Sequence, residues 1–239
     1  MRAALHEIYA GATADITTAT GFALALAARA APQRPILWAR QDFVDAEAGR
    51  VHAPGLAELG LDPARILLVR ARDAEDVLRA GSEGARCPAL GAVLIEPWGE
   101  PRRLDLTASR RLALAAEEAG VTTLLLRIAA AEAPSAARTR WLARPLPSRA
   151  LEANAPGMPA FGLRLLRHRG GVRGDAAERE WRVEWDRDRQ CFIERTAFPG
   201  NALPRGAPDA APLPRSLVPL PGDGQAAAGG ADSGLRRAG

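Results

Sequence analysis

Residues 7–22 have the sequence EIYAGATADITTATGF, which has the layout of a phosphate-binding loop. Apolar Ile8 and Tyr9 end a short predicted strand, Gly11 opens a turn, and a helical pattern begins near Asp15. A nucleotide-binding loop of this kind needs glycines that let backbone N–H groups surround the phosphates, a lysine for the outer phosphates, and Ser or Thr for magnesium. This stretch offers threonines and one early glycine, but it has no lysine.

Lysine is absent from the whole chain, so all 32 residues counted as Lys or Arg are arginines. The planar guanidinium has a different shape from the compact ammonium and is a poor substitute for it inside a tight loop. The sequence therefore predicts a loop that has lost its nucleotide chemistry, and a protein that is not an enzyme and needs no cofactor. The alternative is a residual NTPase that uses an arginine in place of the lysine.

Two further positions bear on ATP chemistry. Glu96 ends the run LIE, where nucleotide-hydrolysing α/β proteins place the acid that holds magnesium. The interpretation we favour is a carboxylate at a solvated strand end. Arg40 and Gln41 follow the second strand, where an ATPase places a glutamate that activates water, and neither can do that. The acids that follow are expected to be loop and cap residues: Asp42, Asp45 and Glu47.

An arginine-rich segment, LRLLRHRGGVRGD, covers residues 163–175. Its four basic residues form a candidate partner or nucleic-acid surface: Arg164, Arg167, Arg169 and Arg173. Strand alternation places Arg167 and Arg169 on one face and His168 on the other. The other interpretation, which we favour at this stage, is a solvated strand face paired with the acids of WRVEWDRD. No aromatic residue lies between these arginines, which weakens the case for stacking of single-stranded bases.

The first 130 residues alternate short apolar runs with helical patterns, which predicts an α/β fold with a mostly parallel sheet flanked by helices. The predicted strands are Leu5–Ala10, Pro35–Arg40, Arg65–Ala71, Gly91–Gly99 and Val121–Ala129. The main predicted helices are Asp15–Ala30, one that follows Asp73, and Leu106–Ala119. The third strand has an unbroken apolar centre and is expected to be buried on both faces. Asp73 is expected to cap the helix that follows it.

Beyond residue 130 three extended stretches replace the helices, and they predict an antiparallel meander at an edge of the sheet. In the last of them Trp181, Val183 and Trp185 alternate with Arg182 and Glu184, as in a half-buried strand. From about residue 199 onward Pro, Gly and Ala dominate, which is typical of a disordered tail. The predicted organisation is therefore a degenerate core over 1–130, an antiparallel β extension over 131–198 and a disordered tail over 199–239.

Net charge, cysteine and histidine positions and the motifs that are missing limit the classes of protein to which this chain can belong. A net charge of +4 permits contact with nucleic acid without requiring it. Cys87 and Cys191 are far apart in sequence and are expected to be free thiols, and the histidines are too scattered to predict a metal site. The chain shows no signal peptide and no apolar run of membrane-spanning length, so it is predicted to be cytoplasmic. Serine-hydrolase, Cys/His and dinucleotide-binding motifs are also missing.

The order of these segments resembles a RecA-type core over roughly residues 5–129: HEIYAG, then PILWAR, then GLAELGLDPARILLVRARDAEDVLRAG, then AVLIEPWG, then LALAAEEAGVTTLLL. Within that superfamily the sequence is most similar to the ImuA family, also described as RecA-like or SulA-like. The segments that carry this second resemblance extend to about residue 196 and include ILWARQDF, LDLTASRRLALAAEEAG, RTRWLARPLPS, LLRHRGG and WRVEWD.

The ImuA resemblance implies an accessory role in damage-induced translesion synthesis. The implied partners are a Y-family polymerase-like protein and an error-prone DNA polymerase, with RecA and DNA as further candidates. The RecA residues that bind and hydrolyse ATP have no counterparts here, so the resemblance implies a non-catalytic scaffold. Two alternatives remain open: the residual NTPase described above and a SulA-like inhibitor of cell division.

Overall fold

The structure is a computed structural model, and it describes residues 3–170 and 180–195. Within these ranges the chain forms five α-helices and nine β-strands. The helices are α1 (Ile16–Ala30), α2 (Asp42–Ala48), α3 (Ala53–Glu58), α4 (Ala74–Ala85) and α5 (Leu106–Ala119). The strands are β1 (Leu5–Ala10), β2 (Ile36–Gln41), β3 (Ile66–Ala71), β4 (Ala92–Glu96), β5 (Thr122–Arg127), β6 (Thr139–Pro145), β7 (Ala160–His168), β8 (Glu180–Asp186) and β9 (Cys191–Glu194).

All nine strands belong to one sheet with the order β3-β2-β4-β5-β1-β6-β7-β8-β9. Neighbouring strands from β3 to β6 are parallel, and those from β6 to β9 are antiparallel. The predicted fold class, a mostly parallel α/β sheet flanked by helices and continued by antiparallel strands, is confirmed. The predicted tail over 199–239 lies outside the described residues.

Helices cover both faces of the sheet. Helix α1 packs on one face, where its Ala-rich surface lies against β1, β4, β5 and β6. Helices α4 and α5 pack on the other face in a separate apolar cluster. Gly81 and Gly84 let α4 approach the sheet closely, because a Cβ on either residue would overlap Ile95 or Leu37. The predicted cap of α4 is also confirmed, since Asp73 accepts a hydrogen bond of 2.8 Å from the Asp76 N–H.

The prediction for the third strand is wrong in one respect. Strand β3 is the edge strand of the sheet rather than a strand buried on both faces. Leu67, Leu68 and Val69 are 52%, 40% and 37% exposed. An apolar run indicates a strand but does not indicate its place in the sheet, and among the strands of residues 3–170 and 180–195 only β2 adjoins β3.

The antiparallel strands extend the core on the α1 side of the sheet. Val183 and Trp185 are buried in the same cluster as α1, and Trp181 packs against it, as the alternation predicts. Glu184, expected on the polar face, is also buried and forms an ion pair of 2.5 Å with Arg195. Rings of Phe22 in α1 and of the later strands contact one another, which ties the antiparallel strands to the parallel part of the sheet.

Candidate functional site

The candidate site lies where parallel strands β2 and β4 end side by side. Arg40 in β2 and Glu96 in β4 are paired in register. In a parallel sheet the carboxyl ends of neighbouring strands meet at one edge, which is where ligands bind in open α/β folds. Here both side chains are buried: Glu96 is 0% exposed and Arg40 is 5% exposed.

Three side chains contact the carboxylate of Glu96. Its Oε1 accepts a hydrogen bond of 2.8 Å from the Thr20 hydroxyl in α1. Its Oε2 accepts one of 2.8 Å from the Trp38 indole N–H and lies 3.2 Å from the Arg40 Nε. The favoured interpretation of a solvated strand end is therefore wrong, because the strand ends inside the protein. Both oxygens already have donors of this chain within 3.2 Å.

Arg40 joins Glu96 to a second acid. Its Nε lies 3.3 Å from Oδ1 of Asp45 in α2, and its Nη2 donates a hydrogen bond of 3.0 Å to the Gly49 carbonyl. The guanidinium also lies 5.4 Å from the ring centroid of Trp38. At the position where an ATPase would place a water-activating glutamate, this chain therefore has a buried cation held by two carboxylates.

The two acids of α2 also hold an arginine from the edge strand. Arg70 in β3 contacts Asp45 at 2.8 Å and Asp42 at 3.0 Å. Both acids lie in the first turn of α2, where negative charge is favourable. The expectation of loop and cap residues is thus too simple, because Asp42 and Asp45 connect α2 to strands β2 and β3 through ion pairs.

Burial raises the pKa of the Glu96 carboxyl above its ordinary value. The Arg40 guanidinium and the hydrogen bonds from Thr20 and Trp38 oppose this rise, but the loss of hydration is the largest cause. A carboxylate in this position costs free energy to bury and is tolerated because it is paired and hydrogen-bonded. The arrangement therefore stabilises the junction of α1, β2 and β4 only while all four groups are present.

The loop between β1 and α1 contains its own negative charge. Burial raises the pKa of the Asp15 carboxyl, while the nearby Arg144 and a hydrogen bond from the Ala12 backbone lower it. A Cβ placed on Gly11 would lie 2.7 Å from the Asp15 carboxylate and 2.9 Å from the Arg144 Nε. An Asp15 carboxylate at the start of α1 repels phosphate and competes for a backbone donor that a phosphate would need.

A second buried ion pair, which no sequence pattern predicted, lies where β1 and β6 adjoin. Arg140 Nε contacts Glu7 Oε2 at 2.9 Å, and the Ser135 hydroxyl donates to the same oxygen at 2.8 Å. Burial, followed by the Glu7 charge, raises the pKa of Tyr9 nearby. These groups satisfy one another, so they join β6 to the parallel core rather than form an open site.

The predicted basic surface is only partly a strand face. Arg164 and Arg167 are exposed in β7, where Arg164 is paired in register with Glu180 and Arg167 with Arg140. A register shift between Arg140 and Trp141 interrupts the alternation. Within residues 3–170 and 180–195, neither Arg164 nor Arg167 forms an ion pair, so the structure does not show the predicted pairing with acids of β8.

The remaining two arginines differ from this pair. Arg169 lies one residue beyond the end of β7, and its guanidinium donates a hydrogen bond of 3.0 Å to the Ala136 carbonyl. Arg173 lies outside the described residues. The two arginines of the predicted set that lie exposed within β7 are therefore Arg164 and Arg167, which we call the β7 arginine pair.

Many solved structures are similar to this chain, and they include a recombinase and SulA. The RadB recombinase is 12% identical, with a TM-score of 0.48 over 78% of this chain and 89% of that one. SulA from Pseudomonas aeruginosa is 25% identical, with a TM-score of 0.40 over 52% of this chain and 98% of that one. No family model matches the chain, and no curated protein sequence is significantly similar to it.

Other sequence predictions concern metals, thiols and membranes. Cys87 and Cys191 are both free and half-buried. Among the described residues no group of His, Cys, Asp and Glu is arranged to hold a metal ion, and His6 instead shares a hydrogen bond of 2.7 Å with Thr139. No helix in the described ranges combines the length and apolar character needed to cross a membrane.

Sequence reasoning found Glu96 and Arg40 but missed what joins them. Thr20 and Trp38 are 76 and 58 positions away from Glu96, so no local pattern connects them to it. One signal was available, because Trp38 and Arg40 are two residues apart in β2 and so point to the same face. A buried acid at the end of β4 would then face an indole N–H and a guanidinium on the neighbouring strand.

Proposed function

We propose that this chain is a RecA-like protein that acts without ATP chemistry, as a non-catalytic accessory protein of the DNA damage response. The observation that carries the proposal is the engagement of Glu96 by Thr20, Trp38 and Arg40. A magnesium ion bound at Oε2 of Glu96 would have to displace the Arg40 guanidinium and the Trp38 indole N–H from a fully buried carboxylate. That exchange would leave Arg40 as a buried cation with one fewer partner, which costs several kcal/mol by order of magnitude.

The loop region supports the same proposal from the phosphate side. The chain has no lysine to reach an outer phosphate, and Asp15 places a carboxylate where α1 begins. A residual NTPase would need a cation that is free to approach the phosphates. Arg144 is the arginine closest to Gly11, and it faces the Asp15 carboxylate. Arg40 is held by Glu96 and Asp45.

The specific process we propose is error-prone translesion synthesis, on the basis of the ImuA-like segments of the sequence. The proposed partners are a Y-family polymerase-like protein and an error-prone DNA polymerase, with RecA as a further candidate. The β7 arginine pair is the proposed contact surface, because exposed arginines that pair with no acid in residues 3–170 and 180–195 can bind carboxylates or phosphates at little cost.

Nucleotide titration tests the absence of ATP chemistry. We expect isothermal titration with ATP and magnesium to show binding no tighter than roughly millimolar. A micromolar affinity would contradict the proposal and favour the residual NTPase. Glu96→Ala then separates a structural role from a catalytic one: a stability loss with unchanged ATP response is expected, whereas loss of a measurable ATPase rate in a folded variant would favour catalysis.

The cellular role is tested by deleting the gene and restoring it. Loss of damage-induced mutagenesis without filamentation is the expected phenotype of the deletion. Filamentation of undamaged cells that overproduce the protein would instead favour the cell-division inhibitor. Affinity capture from damage-treated cells, with the bound proteins identified by mass spectrometry, should recover the polymerase partners. Their absence from captures that retain folded protein would contradict the translesion role.

A further inference from the structure

A groove of about 320 Å³ lies between helices α4 and α5, on the face of the sheet opposite α1. Its floor is apolar and includes Leu78, Leu104 and Leu112. Leu112 is buried, while Leu78 and Leu104 are only half-buried. The groove therefore keeps apolar surface in contact with solvent, and an inserted side chain would remove that surface from water.

Basic residues surround this floor. The lining contains four exposed arginines, Arg79, Arg86, Arg103 and Arg111, against a single acidic residue, Glu75. Arginine is the residue best suited to bind a carboxylate with two parallel hydrogen bonds. The combination of an apolar floor and a basic rim is complementary to a ligand with apolar side chains between carboxylates.

The arginines of the rim are available to such a ligand. Arg111 forms no ion pair with any described residue. Arg103 contacts Glu75 at 3.1 Å, and its side chain is 74% exposed. Arg79 pairs with Asp76 at 2.7 Å within α4 and is 70% exposed. Arg86, one residue beyond α4, pairs with Glu83 at 3.4 Å, donates a hydrogen bond of 2.7 Å to the Ser82 hydroxyl and is 50% exposed. Exposed pairs of this kind contribute little, so an incoming carboxylate can replace them.

We propose that this groove binds an acidic amphipathic segment of a partner protein, with apolar side chains over Leu78 and Leu104 and carboxylates on Arg79 and Arg111. The chain's own residues 196–239 are not such a segment, because they carry four arginines and three aspartates with no glutamate. Nucleic acid fits less well, since a phosphate backbone offers no aliphatic side chain to the floor and would meet Glu75. This binding is separate from the proposed function, because the buried Glu96 faces α1 on the other side of the sheet.

Fluorescence anisotropy with a synthetic probe tests the proposal on the full chain. The probe is a labelled peptide of about 15 residues, or four helical turns, with leucines on one face and glutamates on the other. We expect a dissociation constant of about 1–100 μM that weakens as salt is raised. The double substitution Arg79→Glu with Arg111→Glu should weaken binding at least about tenfold.

Three controls decide the outcome. The matched variant Arg72→Glu with Arg110→Glu reverses the same charge at exposed positions outside the groove lining, so it should bind as the wild type does. Arg79→Ala with Arg111→Ala should show a smaller loss in the same direction, and circular dichroism should show all variants folded. Equal losses in the groove and control variants would overturn the proposal, since the attraction would then be non-specific.

The apolar part is tested with a second peptide in which serines replace the leucines at the same charge. Weaker binding of the serine peptide supports insertion over the floor, whereas equal binding of both peptides overturns the proposal. A labelled single-stranded DNA provides the last comparison. If the DNA binds, the peptide does not, and the Arg79 and Arg111 substitutions abolish DNA binding, the groove is a nucleic-acid surface and the proposal is wrong.

Discussion

Arg40 and Glu96 form an ion pair of 3.2 Å between side chains that are 5% and 0% exposed. The two residues are neighbours in register at the carboxyl ends of β2 and β4. In an open α/β sheet this edge is the usual place for a ligand. In this chain that edge is occupied by the protein's own charged side chains. Arg40 and Glu96 therefore connect strands β2 and β4 to helices α1 and α2.

Removal of Arg40 should destabilise the protein strongly. We expect Arg40→Ala to lower the free energy of unfolding by about 3–5 kcal/mol, because Glu96 would remain buried without its cation. Urea denaturation measures the change. Arg70→Ala is the matched control: it removes an arginine from the same acid, Asp45, but Arg70 is 46% exposed, so a loss of roughly 0–1 kcal/mol is expected. Equal losses in both variants would mean that burial does not determine the strength of these pairs.

The pH dependence of stability should reveal the raised pKa of Glu96. An acid with a raised pKa in the folded state contributes most below its unfolded value, here 4.5, and loses that contribution as pH rises through the folded value. Gln at this position cannot titrate. We therefore expect the unfolding free energy of the wild type, relative to Glu96→Gln, to fall as pH rises above about 4.5 in urea denaturation series. A relative stability that rises with pH would show that Arg40 outweighs the loss of hydration.

The sequence predicted those structural features that depend on residues close together in the chain. The cap of α4, the helix α1 and the stretches that form strands follow from side chains close together in sequence, as with Asp73 and the Asp76 N–H three residues later. The partners of Glu96 could not be predicted in that way, since a hydroxyl, an indole and a guanidinium reach it from α1 and β2. A charged residue at a strand end looks the same in sequence whether water or protein surrounds it.

The place of β3 in the strand order could not be predicted from its own sequence either. Its run ILLVRA is as apolar as a central strand, yet in the part of the chain that the structure describes it has a neighbouring strand on one side only. Strand order depends on where the crossover helices place each strand, which no single segment encodes. Edge strands with exposed apolar residues tend to pair with other chains.

Self-association through β3 is therefore a further prediction. Leu67→Lys should reduce concentration-dependent association in light scattering or sedimentation, because lysine is unfavourable at a sheet edge that pairs with another chain. Since Leu67 is 52% exposed, the unfolding free energy should change by only about 0.5 kcal/mol. Leu114→Lys in α5 is the control, as it alters an equally exposed leucine away from the edge. Association that falls equally in both variants would indicate general solubility rather than pairing at β3.

The β7 arginine pair yields the last prediction. Arg164 and Arg167 are exposed and form no ion pair among the described residues, whereas Arg169 is held by the Ala136 carbonyl. Reversing Arg164 and Arg167 to Glu should therefore leave circular dichroism and melting nearly unchanged, since exposed charges contribute little to stability. Capture of partners from lysates of damage-treated cells should fall, and the loss should be larger in a low-salt buffer, where the attraction of these charges is strongest. Induced mutagenesis in cells should fall as well.

Arg110→Glu with Arg149→Glu reverses the same charge at exposed positions outside β7 and should retain both activities. A folded β7 variant that captures partners and supports mutagenesis at the wild-type level would place the contact surface elsewhere, and an unfolded one would show that these arginines stabilise the sheet.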